Sequence, residues 1–272
     1  MSYTFYCSGA NRKPDYMGLA YANINFGISI EELSKKNLQK ILEIAEEFKE
    51  IKIFADSGAF AEVQYSKGGI RSIKKAITHE EWERRLSKYE VLANSYGKRL
   101  LAIAPDCVGD QTETLKRIEK YKSEILNLLN KCLVVVPLQV GEMSLFEMYE
   151  KIIEILETDN FIIGIPCKKG ATSFDELKSF IKEISPKPVH LLGMSPSSSK
   201  WKVTKEMILE EEYPLENLSM DSVRLRALVM RKKYLGPLTR KMDDYKNEGN
   251  TSLEAKIKAI KDIKDIILKD LS

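Results

Sequence analysis

The chain is poor in the residues that build metal and disulfide sites. It holds two histidines and four cysteines in 272 residues. Cys7, Cys107, Cys132 and Cys167 are scattered, with no Cys-x-x-Cys pair. A zinc module or redox dithiol therefore lacks its ligand spacing, and reduced thiols in a cytoplasmic protein are expected. No apolar run is long enough to span a bilayer. The opening Met1-Ser2-Tyr3 has no charged stretch leading into an apolar one, so no signal peptide is expected. No Gly-x-Gly-x-x-Gly follows the first strand-like segment, which argues against a dinucleotide-binding fold. Neither charge dominates: Lys+Arg 43 against Asp+Glu 40 leaves a net +3. Any surface for nucleic acid must then be local. Internal repeats and low-complexity tracts are absent.

What is present is alternation. The hydrophobic share of 43% supports a substantial core in one large domain or two small ones. Strand-like segments are Thr4–Cys7, Leu19–Ile24, Ile51–Ala55, Leu100–Ala104, Leu133–Leu138, Phe161–Ile165, Val189–Leu192 and Leu218–Met220. Between them run amphipathic stretches. Leu115, Ile118, Ile125, Leu128 and Leu129 recur at helical spacing, and 145–156 and 174–184 repeat the pattern. Asp175 and Glu176 suit a helix start. Ser29 with Glu32 reads as a capping box opening another helix. Eight strand–helix units predict a (β/α)₈ barrel over residues 1–240, with an open doubly wound sheet as the alternative. Residues 243–252 read as an exposed connector, and 253–271 as an amphipathic helix packed on the barrel, so 241–272 forms a connector and C-terminal helix.

Acids and amides cluster where these strands end. Asp56, Asp106, Gln139, Gly164, Gly193 and Asp221 all fall at predicted C-terminal strand ends, the catalytic mouth of a barrel. Taken singly, each acid also reads as a helix N-cap, Gln139 as a turn residue and each glycine as a turn requirement. Taken together, the acids point to one shared pocket.

The motifs occur in an order that resembles the tRNA-guanine transglycosylase superfamily. Asp56-Ser57-Gly58-Ala59-Phe60 is similar to its DSGGF segment, and Pro105-Asp106-Cys107 to its base-reading segment. Leu138-Gln139-Val140-Gly141 is similar to VQGG, Ile163-Gly164-Ile165 to GGLA, Leu191-Leu192-Gly193 to LMG and Met220-Asp221-Ser222-Val223 to FDCV. The resemblance runs from about Ile51 to Arg226. It implies a base-exchange glycosyltransferase with Asp221 as nucleophile and Asp56 as proton handler. Asp106 would accept from the ring N–H and amino group of guanine. Gln139 and the Gly164 N–H would donate to its keto oxygen. Ser57 and Gly193 would complete the base site, and Phe60 and Leu192 would flank the base, with Met194 as a substitute for Leu192. Core filling is the plainer reading of Phe60.

The chain departs from the family in ways that bear on substrate. The family's cysteine-rich zinc module is missing after Asp221, Arg224-Leu225-Arg226 replaces Pro-Thr-Arg, and Ala59 replaces a glycine. These departures resemble the family's zinc-less, DpdA-like branch, found in phages and bacterial modification islands. Its members are understood to exchange guanine in DNA for a 7-deazaguanine. Pro166-Cys167-Lys168-Lys169 carries no acid to meet an aminomethyl cation, which favours 7-cyano-7-deazaguanine. The expected partners are therefore DNA, or alternatively tRNA, the 7-deazaguanine base as co-substrate, and accessory DNA-handling proteins. No cofactor, metal or membrane partner is expected.

Phosphate contacts are sought in Lys67, Arg71, Lys74 and Lys75 after the Asp56 strand, and in Arg224 and Arg226 after the Asp221 strand. Each run also reads as a solvated helix face. Tyr65 or Trp201 would fill the gap left by a flipped base, or simply pack. Two other function classes stay open: a barrel lyase or isomerase holding phosphate on 195–200, and a non-catalytic transglycosylase-like subunit.

Overall fold

The computed structural model describes residues 3–66, 69–73, 75–168, 171–196, 198–223 and 242–268. Eight parallel strands close into a barrel: β1 (Thr4–Cys7), β2 (Phe26–Ser29), β3 (Ile53–Asp56), β6 (Leu100–Ile103), β7 (Leu133–Pro137), β8 (Ile162–Pro166), β9 (Val189–Leu192) and β10 (Leu218–Ser222). Closure comes from β1 pairing β10 on one side and β2 on the other. An antiparallel hairpin, β4 (Val63–Ser66) and β5 (Gly69–Ile73), follows β3 outside the barrel. The (β/α)₈ barrel expected from the alternation is the fold.

The helices α1 (Lys13–Tyr21), α2 (Lys35–Glu47), α3 (His79–Tyr96), α4 (Gln111–Lys120), α5 (Lys122–Lys131), α6 (Leu145–Leu156), α7 (Phe174–Ile184) and α8 (Ser199–Glu210) accompany the strands. Short polar caps start six of them. Ser34, Thr78, Asp110, Ser144, Ser173 and Ser198 each accept a hydrogen bond from the first turn. Between barrel and helices lies the main core, which takes Phe5, Ile28, Ile53, Ala102, Val136, Ile163, Leu191 and Met220 from the strands. The intervening strand residues point the other way, into the barrel, because side chains alternate along a strand. Tyr6, Phe54, Leu101, Ile103 and Val135 form that inner cluster.

Several expected elements differ. The apolar run 19–24 is not a strand: Leu19 to Tyr21 end helix α1, and the second strand is Phe26–Ser29. Pro14 sits in the first turn of α1, where a missing N–H costs nothing. Gly27 disguised the true strand. A Cβ there would overlap Ser8 Oγ and approach Phe54 Cδ1 to 3.0 Å, so the inward position must be glycine. Ser29 lies in β2 rather than capping a helix, and its N–H donates to Asn11 Oδ1 at 2.8 Å. The cap falls at Ser34, which lacks the acid that would have revealed it. The single helix expected around Leu115–Leu129 breaks at Tyr121 into α4 and α5.

Helix α10 (Ser252–Leu268) packs on α1 and buries Ala255, Lys256, Ala259 and Ile260. Gly18 permits the approach, since a Cβ there would meet Ile260 Cδ1 at 3.0 Å. Lys256 forms a buried ion pair with Asp15. Part of the expected connector is helical, α9 (Met242–Asn247), and its Tyr245 packs on Ala255 and Ala259. Residues 224–241, which join barrel and tail, lie outside the described residues. Among the described residues no helix is long and apolar enough to cross a membrane.

Candidate active site at the barrel mouth

Strand parity places the acids. On β10, Leu218 and Met220 face outward into the main core, so Ser219 and Asp221 face inward. On β3, Ile53 and Ala55 face outward, so Phe54 and Asp56 face inward, and β9 turns His190 and Leu192 inward by the same rule. Register agrees: Tyr6 pairs with Asp221, Ser219 with His190, Gly164 with His190, and Ser29 with Asp56.

Asp221 sits in a cradle of donors. Gly193 N–H donates to Oδ1 at 2.7 Å, and the Ser8 hydroxyl donates to Oδ2 at 2.7 Å. His190 Nε2 lies 3.4 Å from Oδ1, an ion-pair distance longer than a good hydrogen bond. Gly193 aims its N–H from a left-handed conformation, φ 75°, which glycine adopts without strain. Burial alone would raise the Asp221 pKa. The contacts with His190, Gly193 and Ser8 outweigh it and hold the carboxyl below its usual range. Asp221 is thus an anion kept ready in a buried place.

His190 is itself fully buried. Its ring stacks on Phe54 with centroids 4.8 Å apart, and its Nδ1 lies 2.8 Å from Ser219 Oγ. If Ser219 donates to Nδ1, the remaining ring proton sits on Nε2 and faces Asp221.

Across the mouth the acids behave differently. Burial first, then the negative charge of Asp221, raises Asp56 to about 6, against the pull of Lys168, Gly58 N–H and Arg85. Burial, then Asp56, raises Asp106 to about 7, while Ser57 and Arg117 oppose. Ser57 Oγ donates to Asp106 Oδ1 at 3.1 Å, and Gln139 Nε2 donates to Oδ2 at 3.1 Å. Strand parity and the hydrogen bonds from Ser57 and Gln139 to Asp106 bring Asp221, Asp56 and Asp106 to the same end of the barrel. Neither Asp56 nor Asp106 caps a helix. Gly58 precedes the 3₁₀ turn Ala59–Glu62, and Asp110 caps α4.

Two arginines fix this side from behind. Arg85 Nη1 donates to the Ser57 carbonyl at 2.8 Å. Arg117 holds both oxygens of buried Glu62 at 2.6 and 3.0 Å and donates to the Asp106 carbonyl at 2.6 Å. Such bidentate pairing locks the loop after β3 to α4.

The remaining expected site residues fall into place unevenly. Phe60 is 41% exposed, so it does not fill the core. The Lys168 ammonium rests on its ring, 3.3 Å from the centroid. Leu192 is half-buried against the inner cluster, while Met194 is buried in the main core and does not substitute for it. Gly164 lies within β8, and its carbonyl accepts from Leu138 N–H at 2.8 Å. In a parallel strand the N–H and C=O of one residue point the same way. The Gly164 N–H therefore faces β7 along the sheet, not the mouth. What the structure does require of Gly164 is smallness, since a Cβ would come within 2.7 Å of Val135 Cγ1.

The basic residues are harder to place. Lys75 is exposed and pairs with Glu81 at 3.3 Å. Arg71 belongs to β5, but its side chain is outside the described set, as are Lys67, Lys74, Arg224 and Arg226. The Tyr65 side chain is likewise outside it. Trp201 packs edge-on against Tyr3 in the core, 4.8 Å between centroids, away from any flipped-base gap. All four cysteines are free and buried. Among the described residues, no group of three or more His, Cys, Asp or Glu is placed to hold a metal ion.

Ser8, His190, Arg85, Arg117 and Glu62 are not singled out by the sequence. Parity held the signal for two of them: Ser8 lies two residues beyond inward Tyr6, and His190 two before inward Leu192. Nothing local marks the others.

No family model matches the sequence, and no curated protein does. Among solved structures, the chain is similar to Thermomonospora fusca β-mannanase in its mannohexaose complex, with TM-score 0.52 and 8% identity, covering 81% of this chain and 78% of that one. It is also similar to fructose-bisphosphate aldolase from Campylobacter jejuni, with TM-score 0.51 and 11% identity, covering 99% and 89%. The likeness is one of fold. Both neighbours are enzymes on (β/α)₈ barrels, and at such identities neither speaks for this chain's chemistry.

Proposed function

We propose that this chain is a retaining base-exchange glycosyltransferase that replaces guanine in DNA by a 7-deazaguanine, with tRNA as the alternative polymer. One arrangement supports the reading: two inward carboxyl groups face one mouth, Asp221 held below its usual range by its donors and Asp56 raised above it. Glycosidic chemistry with retention needs that division of labour. Asp221 attacks the anomeric carbon, the bond to guanine breaks, and the base leaves with the bonding electrons. Asp56, with a pKa of about 6, supplies the proton that the departing base needs. It then removes the proton of the incoming base, whose nitrogen attacks the same carbon and releases Asp221. Asp106, flanked by Ser57 and Gln139, offers acceptors for the amino and ring N–H edge of guanine.

Exchange of isotope-labelled guanine into DNA and into tRNA tests this reading. Incorporation that Asp221→Asn abolishes supports it. Absence of exchange into either polymer by the full chain refutes it.

One feature favours a second reading. Lys168 is exposed along its length but rests its ammonium on the Phe60 ring, where partial loss of water lowers its pKa against the opposing pull of Asp221 and Asp56. A lysine of that kind suits carbonyl chemistry, as in a lyase or isomerase acting on a phosphorylated metabolite. The loop expected to hold the phosphate is partly committed elsewhere: Ser198 caps α8, and Lys200 donates to the Cys167 carbonyl at 2.9 Å. A free sugar phosphate that raises Tm where guanine does not would favour this reading.

A further inference from the structure

His190 has a polar nitrogen on each side of a ring without exposure. The ring lies on Phe54, with centroids 4.8 Å apart and planes 20° from parallel, and Tyr6 stands 6.1 Å away. Nδ1 lies 2.8 Å from Ser219 Oγ. Nε2 is buried without a hydrogen bond of good geometry and faces Asp221 Oδ1 at 3.4 Å. A buried ring nitrogen left unpaired costs free energy. Its neighbours assign the ring proton. A lone pair on Nε2 would set two acceptors against each other, so the proton sits there. The Ser219 hydroxyl then donates to Nδ1, its short contact, rather than to the Val189 carbonyl at 3.4 Å.

The two oxygens of Asp221 are held unequally. Oδ1 receives the Gly193 N–H at 2.7 Å, a backbone donor that cannot turn away, and it faces Nε2. Oδ2 receives the Ser8 hydroxyl at 2.7 Å. That hydroxyl is a rotor, and Gly27 leaves it space, since a Cβ at that position would overlap Ser8 Oγ. Asp56, Lys168 and Cys167 act on the carboxyl through space. Oδ2 is therefore the oxygen that can shed its donor and bond to carbon. In the ester so formed, Oδ1 is the carbonyl oxygen. When the ester breaks, the electron pair of its C–O bond returns to the carboxylate. Charge then reappears on Oδ1, against the Gly193 N–H and the Nε2–H.

We propose that the Ser219–His190 pair positions Asp221, reserving Oδ1 as the oxygen that receives charge, directing Oδ2 to the sugar and speeding release of the covalent ester. This deepens the base-exchange reading and rests on it. The chain has two histidines, so a His79→Gln background leaves one ring to observe by nitrogen NMR. A proton on Nε2 is expected, and a ring protonated on Nδ1 alone overturns the proposal. His190→Phe keeps a ring against Phe54 without the donor. By carboxyl-carbon NMR its Asp221 should titrate at higher pH than in wild type, and an unmoved titration overturns the proposal. Ser219→Ala keeps the histidine and removes its anchor. It should move the titration the same way by less, and it replaces His190→Phe if that variant does not fold. On DNA, His190→Phe should accumulate the covalent adduct while turnover falls about tenfold, the scale of one hydrogen bond to a charged group. His190→Gln, which restores a donor, should recover most of the loss. Equal losses of adduct formation and turnover mark a merely structural role and overturn the proposal. The NMR measurements need no substrate. A wild-type chain that forms no adduct yet carries the Nε2 proton therefore removes base exchange and leaves His190 holding Asp221.

Discussion

On the β9–β10–β1 side of the mouth, Asp221 receives the Gly193 N–H and the Ser8 hydroxyl and lies beside His190. On the β3–β6–β7 side, Asp106 is buried and Asp56 half-buried, each within reach of the other's charge. The first side supplies donors faster than burial removes water, and its acid stays ionised. The second lets burial and repulsion prevail, and its acids keep protons to about 6 and 7. Both sides bury carboxyl groups. The hydrogen-bond inventory around each, not burial as such, decides its charge.

Removing Asp221, the proposed nucleophile, should separate the two sides most sharply. Asp221→Asn is expected to lower exchange by about 10⁴-fold, the scale of losing a central catalytic group. Denaturing gels of DNA-treated protein should lose the covalent adduct, and an adduct that persists would assign the attack elsewhere. Next in size is the support behind the second side. Glu62→Gln leaves Arg117 buried without its counter-charge and should destabilise the fold by about 3–5 kcal/mol. Urea unfolding measures this, and a loss under about 1 kcal/mol would mean that the pair does not lock the loop.

Asp56→Asn should slow exchange by about 10²-fold through loss of proton transfer, with base affinity retained in a calorimetric titration. In the wild type, the proton-donating step should weaken as pH rises through about 6, the Asp56 value. A profile that is flat there and in the variant alike would remove Asp56 from proton transfer. Ser8→Ala on the opposite side should cost about tenfold, since one donor to the nucleophile is lost, and should move the acid limb of the rate profile upward in pH.

The smallest effect concerns stability and its pH dependence. Asp106 has a raised folded pKa, so between its ordinary range and about 7 the folded chain holds a proton that the unfolded chain has released. Stability therefore falls as pH rises through that window. Asp106→Asn escapes the loss. Its Tm should gain on wild type more at pH above 7 than near pH 4, as linkage requires. Asp221, with its lowered value, gives stability at neutral pH that is lost as pH falls through its folded value. A Tm difference for Asp106→Asn that does not change with pH would show that its proton is shared equally by both states.

The barrel was legible because most strands are continuous apolar runs with breaks after them. The lapse at β2 has a local cause. Its inward Gly27 makes room for Ser8 and Phe54, and the apolar residues before it belong to a helix. The acids were legible as strand-end residues, and their convergence followed from closure. What the sequence concealed was support. Glu62 and Arg117 are 55 positions apart and meet only through the loop after β3. Ser8 reaches Asp221 across 213 positions. In the sequence Lys168 reads only as part of a segment without an acid, and its path past Gly193 shows it reaching Phe60. Tertiary pairs of this kind leave no periodicity to read.

The Asp15–Lys256 pair gives the chain's extremities a shared fate. Shortening the protein so that it stops before Ser252 would remove the lysine that pairs with Asp15 and bare the surface around Gly18. The damage would surface first at the opening third of the polypeptide, next to the β1 segment that delivers Ser8, far from the cut. A trimmed variant that lost the proposed exchange would then report a disturbed Ser8, not a missing contact to a nucleic acid.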